Sequence, residues 1–163
     1  DLVFADLSNA FLRDADLSYA DITSAFLANA YLLDADLSYA DIQNTDLRGA
    51  NLRNTNLVDA WIMRSDLSGA YLGYANLFSA SLLQSTLTNA NFEDADLTEA
   101  ILNYADLTNA DFQDADLEDA TLVEADLKFA KFSGATVTDA NFDDTYWHET
   151  MWTDGLRYDT NQA

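Results

Sequence analysis

Carboxylates dominate the chemistry available to this chain: 29 Asp and Glu side chains stand against 7 Lys and Arg, with one histidine, His148, and no cysteine. Acids at that density suit general acid–base catalysis if two carboxyls are held in a shaped, water-poor site that tunes their pKa values. They suit hard-cation binding if several oxygens converge on one point. The spacing argues against both. Asp1, Asp21 and Asp41 recur at a fixed interval, as do Asp46 with Asp66, Asp106 with Asp126, Asp16 with Asp36, and Asp96 with Asp116, so the acids form rows. His148 has no evident partner in the sequence and reads as structural or exposed. Phosphate-binding glycine loops, HExxH and EF-hand spacings are absent from the sequence. A non-catalytic chain with no cofactor and no metal site is expected.

What sets the interval is a period of five. Every fifth residue from Leu2 to Trp147 is large and apolar, and positions 5, 10, 15 and onward to 150 are all Ala, Ser or Thr. On an α-helix, successive members of the series Leu7, Leu12, Leu17 would be rotated by about 140°. On a straight strand they would alternate between faces. A chain that turns a corner every five residues buries them all against one axis, which predicts a solenoid. If four sides close one turn, residues twenty apart stack. The sequence agrees: DADLSYADI occurs at 14–22 and again at 34–42, Ile22, Ile42 and Ile62 share a column, and Phe92, Phe112 and Phe132 share another. The interior is then filled by its own side chains, with no small-molecule pocket expected. At the ~4.8 Å spacing of adjacent strands, seven and a half such coils give a rod of roughly 36 Å.

The repeats, A(D/N)LXX as in Ala15-Asp16-Leu17-Ser18-Tyr19 and Ala105-Asp106-Leu107-Thr108-Asn109, resemble the pentapeptide repeat family, which is abundant in cyanobacteria. The resemblance covers residues 1–150. It implies an all-β fold, a right-handed quadrilateral parallel β-helix, here of about seven to eight coils of four pentapeptides. The expected organisation is a β-helix over residues 1–150 and a C-terminal cap and tail over 151–163. Thr45, Thr55, Ser65, Ser85, Thr145 and Thr150 replace the small Ala, and each buried hydroxyl then needs a backbone carbonyl within reach. From Tyr146 to Gly155 the pattern breaks into large aromatics. An open solenoid end exposes its core, so Trp147 and Trp152 are expected to plug it, with Thr153-Asp154-Gly155 turning the chain back. The other reading of these tryptophans is a dimerisation surface.

A net charge of −22 disfavours nucleic acid and anionic membrane surfaces and favours a protein partner of basic character. Between Phe92 and Asp126 there are twelve acids and no Lys or Arg. Asp94, Asp96, Glu99, Asp114, Asp116, Glu118 and Asp119 fall on the fourth side and the corner before it, and form the candidate partner surface. Residues 51–90 hold only Asp59 and Asp66 as acids, beside Arg53 and Arg64, with Trp61, Met63, Tyr71, Tyr74 and Phe78 pointing outward. A second candidate is the aromatic strip Phe11, Tyr31, Leu33 and Tyr71, interrupted by Asn51. Such a strip either stacks between coils or marks a protein interface.

The expected function is a non-catalytic structural or protein-interaction scaffold presenting a rigid acidic rod. The resemblance implies an alternative, a DNA mimic of the gyrase-protecting type that binds a type II topoisomerase. Spread over the rod, the charge amounts to about one per 1.6 Å, near the ~1.7 Å of duplex DNA. Against this, the mimics carry a loop insertion and a dimerising C-terminal helix, and no side is lengthened here. A third reading is the soluble domain of a membrane-anchored protein. The chain opens within the repeat register without an initiating Met and reads as processed or excised. The compartment stays open between cytoplasm and, where a targeting segment has been removed, a lumen or periplasm. No run reaches the ~18 apolar residues of a membrane span. A first coil without a cap makes end-to-end association an expected contact, beside a cap-mediated dimer. Like charges stacked at ~4.8 Å repel by roughly 0.9 kcal/mol at the dielectric of water. The melting temperature is therefore expected to rise between low salt and ~0.15 M salt; a flat or falling value contradicts this.

Overall fold

One backbone position per repeat makes every corner. In the computed structural model, which describes residues 1–161, the second residue after each large apolar one, from Phe4 to Glu149, has a φ between 47° and 77°. This is the left-handed region, where a Cβ costs energy and Gly, Asn and Asp are the usual occupants. Gly49, Gly69 and Gly134 take three of these corners, and side chains as large as Tyr39 and Arg64 take others. Most corners are closed by the small residue that follows: the Ala5 amide donates to the Leu2 carbonyl at 2.9 Å, and Ala75 to Leu72 at 3.0 Å, whereas the Thr45 and Ser65 amides donate to Ser65 Oγ and Ser85 Oγ of the next coil. Positive φ at the second central residue with that bond is the pattern of a type II turn.

Three of the remaining amides tie one coil to the next. Around the first corner, Leu2 donates to Asp21 O (2.7 Å), Phe4 to Thr23 O (3.2 Å) and Phe26 to Ala5 O (2.9 Å). Parallel bridges accordingly join residues twenty apart, from Asp6 with Phe26 to Lys131 with Met151, in four short ladders. The last amide, that of the residue after the large apolar one, has no backbone acceptor and is met by a side chain where an Asp or Asn stands two residues before it. Asp66 Oδ1 accepts from the Ser68 amide at 3.0 Å, Asp96 Oδ1 from Thr98 at 3.0 Å, and Asn91 Oδ1 from Glu93 at 3.2 Å. This explains the Asp/Asn of the repeat, and it corrects the view of the aspartate rows as mere repulsion: each such carboxylate holds a turn. Hydrogen bonds from Ser8, Ser18 and Thr23 keep the carboxyls of Asp6, Asp16 and Asp21 below the ordinary aspartate value, and Arg48 does the same for Asp46.

The axis is filled as the period requires. Leu27 to Leu127 and the Ile and Phe residues in their series are buried, and Phe92, Phe112 and Phe132 stack at 4.8 Å. The hydroxyls that replace Ala find carbonyls one coil back: Thr45 donates to Ile22, Thr55 to Leu32, Ser65 to Ile42, Ser85 to Ile62 and Thr150 to Leu127, at 2.7 to 3.0 Å. Thr145 differs, bonding Phe142 O within its own turn. At the C-terminal end, β1 (Thr150–Met151) pairs antiparallel with β2 (Arg157–Tyr158) around a turn containing Gly155 at φ 79°. Met151 also bridges Lys131, so coil pairing continues past residue 150. Trp152 lies 4.9 Å from Trp147, 5.1 Å from Phe142 and 5.3 Å from Phe132, ring centre to ring centre. His148 is not without a partner: Nδ1 lies 3.1 Å from Asp159 Oδ1, and its ring meets Phe129 edge-on. Replacing Asp96 separates the turn bond from the charge. Asp96→Ala is expected to lower the unfolding free energy in urea by about 1 kcal/mol, while Asp96→Asn keeps the acceptor and stays near the parent; equal losses would count against the bond.

Candidate interaction surface

The seven acids expected to meet a partner fall on the fourth side of the coil and the corner before it, and they are of two kinds. Asp96 and Asp116 bridge one another across adjacent coils, half-buried, each with Oδ1 engaged by the amide of Thr98 or Glu118. Asp94, Glu99, Asp114, Glu118 and Asp119 are exposed. Their positions are fixed by the backbone beneath them, through Asp94 N to Gln113 O (3.0 Å), Glu99 N to Glu118 O (2.9 Å) and Asp119 N to Thr138 O (3.0 Å). Neighbouring residues add to the fit. Ser79 Oγ donates to Glu99 Oε2 at 3.0 Å. The hydrogen bond to Asp94, and its charge, push the Tyr74 phenol above its ordinary pKa. Gly134, next in the column after Asp114, leaves room for that carboxylate, since a Cβ there would collide with Asp114 Oδ1. None of the five exposed acids forms an ion pair with a Lys or Arg among the described residues.

The aromatic strip is not continuous. Phe11 and Tyr31 stack with centroids 4.9 Å apart and planes 10° from parallel, and Leu33 is half-buried. Tyr71 is separated from them by Asn51, which bridges both Tyr31 and Tyr71. Asn51, short between Tyr31 and Tyr71, and Gly49 beside it leave a surface cleft of about 270 Å³ lined also by Asn29, Arg53 and the two tyrosines. This hollow lies on the outside of the rod.

A second hollow of this kind escaped the sequence reading. Tyr19 and Tyr39 stack at 4.9 Å with planes 6° apart. The next residue in their column is Asp59, and with Trp61 beside it these residues line a cleft of about 440 Å³. The signal was present in the duplicated DADLSYADI, which carries both tyrosines; it is visible as a site only when the row is followed one coil further to an aspartate. Among the described residues no three or more His, Cys, Asp or Glu side chains are grouped to hold a metal ion, and no helix is long and apolar enough to cross a membrane.

Single-residue parallel ladders repeating every twenty residues define a four-sided β-helical repeat protein. A family model described as "Pentapeptide repeats (8 copies)" matches over residues 1–32, 30–69, 75–114 and 110–146, and the chain belongs to that family, with its right-handed quadrilateral β-helix. Among solved structures, trypsin-treated QnrB1, a plasmid-mediated fluoroquinolone resistance protein, is similar at 22% identity and a TM-score of 0.62, over 93% of this chain and 77% of that one. HetL, a pentapeptide repeat protein involved in heterocyst differentiation regulation in the cyanobacterium Nostoc sp. strain PCC 7120, is 28% identical over 95% of this chain and 86% of that one, with a TM-score of 0.47. A second Nostoc PCC 7120 pentapeptide repeat protein is 41% identical over 59% of this chain and 69% of that one, with a TM-score of 0.38. A search of curated protein sequences returned no match.

Proposed function

We propose that this chain is a non-catalytic scaffold whose acidic edge docks a basic protein partner. The observation that carries the proposal is the set of exposed carboxylates of Asp94, Glu99, Asp114, Glu118 and Asp119, carried by hydrogen-bonded backbone on successive coils and unpaired with any Lys or Arg of the described residues. A backbone already held in place loses little further entropy when a partner arrives, and a field of one sign speeds its approach. Asp96 and Asp116 contribute charge to the same edge while holding their turns. In this reading residues 1–150 form a body of about seven to eight coils, and the segment that follows, of which 162–163 lie outside the described residues, covers its end through residues 151–161, with Trp147 and Trp152 as the plug. A mimic of duplex DNA that engages a type II topoisomerase is a special case, favoured by a charge spacing close to that of DNA.

A five-site variant, Asp94→Asn, Glu99→Gln, Asp114→Asn, Glu118→Gln and Asp119→Asn, leaves every turn-holding aspartate in place. Immobilised parent and variant are compared for retention of basic proteins from a bacterial lysate, and both are added to a DNA gyrase supercoiling assay. The parent is expected to retain basic proteins that the variant loses, with unchanged circular dichroism. Identical retention contradicts the docking edge. Inhibition of supercoiling by the parent alone selects the mimic, and inhibition by neither removes it.

A further inference from the structure

The cleft at Tyr19, Tyr39, Asp59 and Trp61 has the chemistry of a cation receptor. One face of Tyr39 is covered by Tyr19; the other looks toward the next coil, where the column continues with the shorter Asp59. A flat group laid on Tyr39 would take the place of a third ring in the stack. Beside it stands Trp61, 57% exposed, and at its edge lies the Asp59 carboxylate, which pairs with no Lys or Arg among the described residues. A guanidinium is planar, stacks on aromatic faces and bonds a carboxylate through two parallel N–H groups, so it fits all three features. A neutral ring would leave Asp59 unanswered in a chain of net charge −22.

We propose that this corner binds one arginine side chain of a basic partner segment lying along the rod. The proposal rests on the acidic-edge reading and extends it, because the same column continues through Ser79 to Glu99, Asp119 and Asp139. At ~4.8 Å per coil, Glu99 stands roughly 10 Å from Asp59 and Asp119 roughly 14 Å; an extended peptide rises about 3.3 Å per residue. The partner's motif is therefore an arginine followed by cations about three and about four residues later.

The site contains its own reporter. Trp147 and Trp152 are each only 8% exposed, in the aromatic cluster at the C-terminal end, so quenching by a bound peptide reports Trp61. The probe is an acetylated and amidated Gly/Ser peptide with arginine at its first, fourth and fifth positions, titrated in ~0.02 M salt where screening is weak. Saturable quenching is expected. Asp59→Asn and Tyr39→Asn, both compatible with a left-handed corner, are expected to weaken binding about fivefold or more. Citrulline in place of the first arginine should do the same. Binding that ignores these changes but is lost in the five-site variant overturns the arginine receptor and leaves the acidic edge standing. Equal affinity for a peptide with lysine at the first position overturns the guanidinium assignment. No quenching by the parent peptide overturns the arginine receptor, while the retention experiment with the five-site variant decides the acidic edge separately.

Discussion

Everything in this molecule depends on a left-handed residue at every fifth position. A corner there, closed by the amide of the next small residue, turns the chain by one side of the square and points the next Leu, Ile or Phe at the axis. Such a backbone costs roughly 1–2 kcal/mol per residue when a Cβ is present. The cost is offset because each corner also donates an amide to the coil above, from Phe4 with Thr23 to Phe129 with His148. Burial of the large apolar residue contributes about 1.5–3 kcal/mol more before the entropy of ordering is counted. Corner, ladder and core are thus one repeating unit, and none of them is stable without the other two.

The aspartates serve two ends at once. At the bridging position, one oxygen holds the amide two residues on, which gives the repeat its local rigidity; the charge left over makes the rod acidic. At the corner position, as in Asp94, Asp114 and Asp119, a carboxylate is free of that duty and is presented outward by a fixed backbone. The same amino acid is structural in one register and a surface group in the other. That difference separates Asp96 from Asp94 on an edge where both carry the same charge.

Most of the fold was legible in the sequence, because a period of five with twenty-residue columns admits one way of burying every Leu. That Thr45, Thr55, Ser65, Ser85 and Thr150 need carbonyls followed from the cost of burying a hydroxyl; which carbonyls, 23 residues back, depends on the path of the coil. The duty of the bridging aspartates was missed, since the acceptor of an amide two residues away depends on backbone angles and not on spacing alone. The Tyr19–Tyr39–Asp59–Trp61 cleft was missed for another reason: it is made by what is short in a row, and periodicity draws attention to what repeats. The contact of His148 with Asp159 depends on the hairpin of β1 and β2, whose path no repeat dictates.

Amide hydrogen exchange measured residue by residue tests the corner most directly. The amides of the large apolar residues, the corners, the small residues and the bridging residues should be protected along the rod. The one amide in five that lacks a backbone acceptor should exchange fastest, above all at Leu33, Met63 and Leu83, where no Asp or Asn stands two residues before. Ser68, Thr98 and Thr108, which do have that acceptor, should be slower. A protection pattern with no period of five, or fast exchange at the corner amides, would contradict a rod held together one corner at a time.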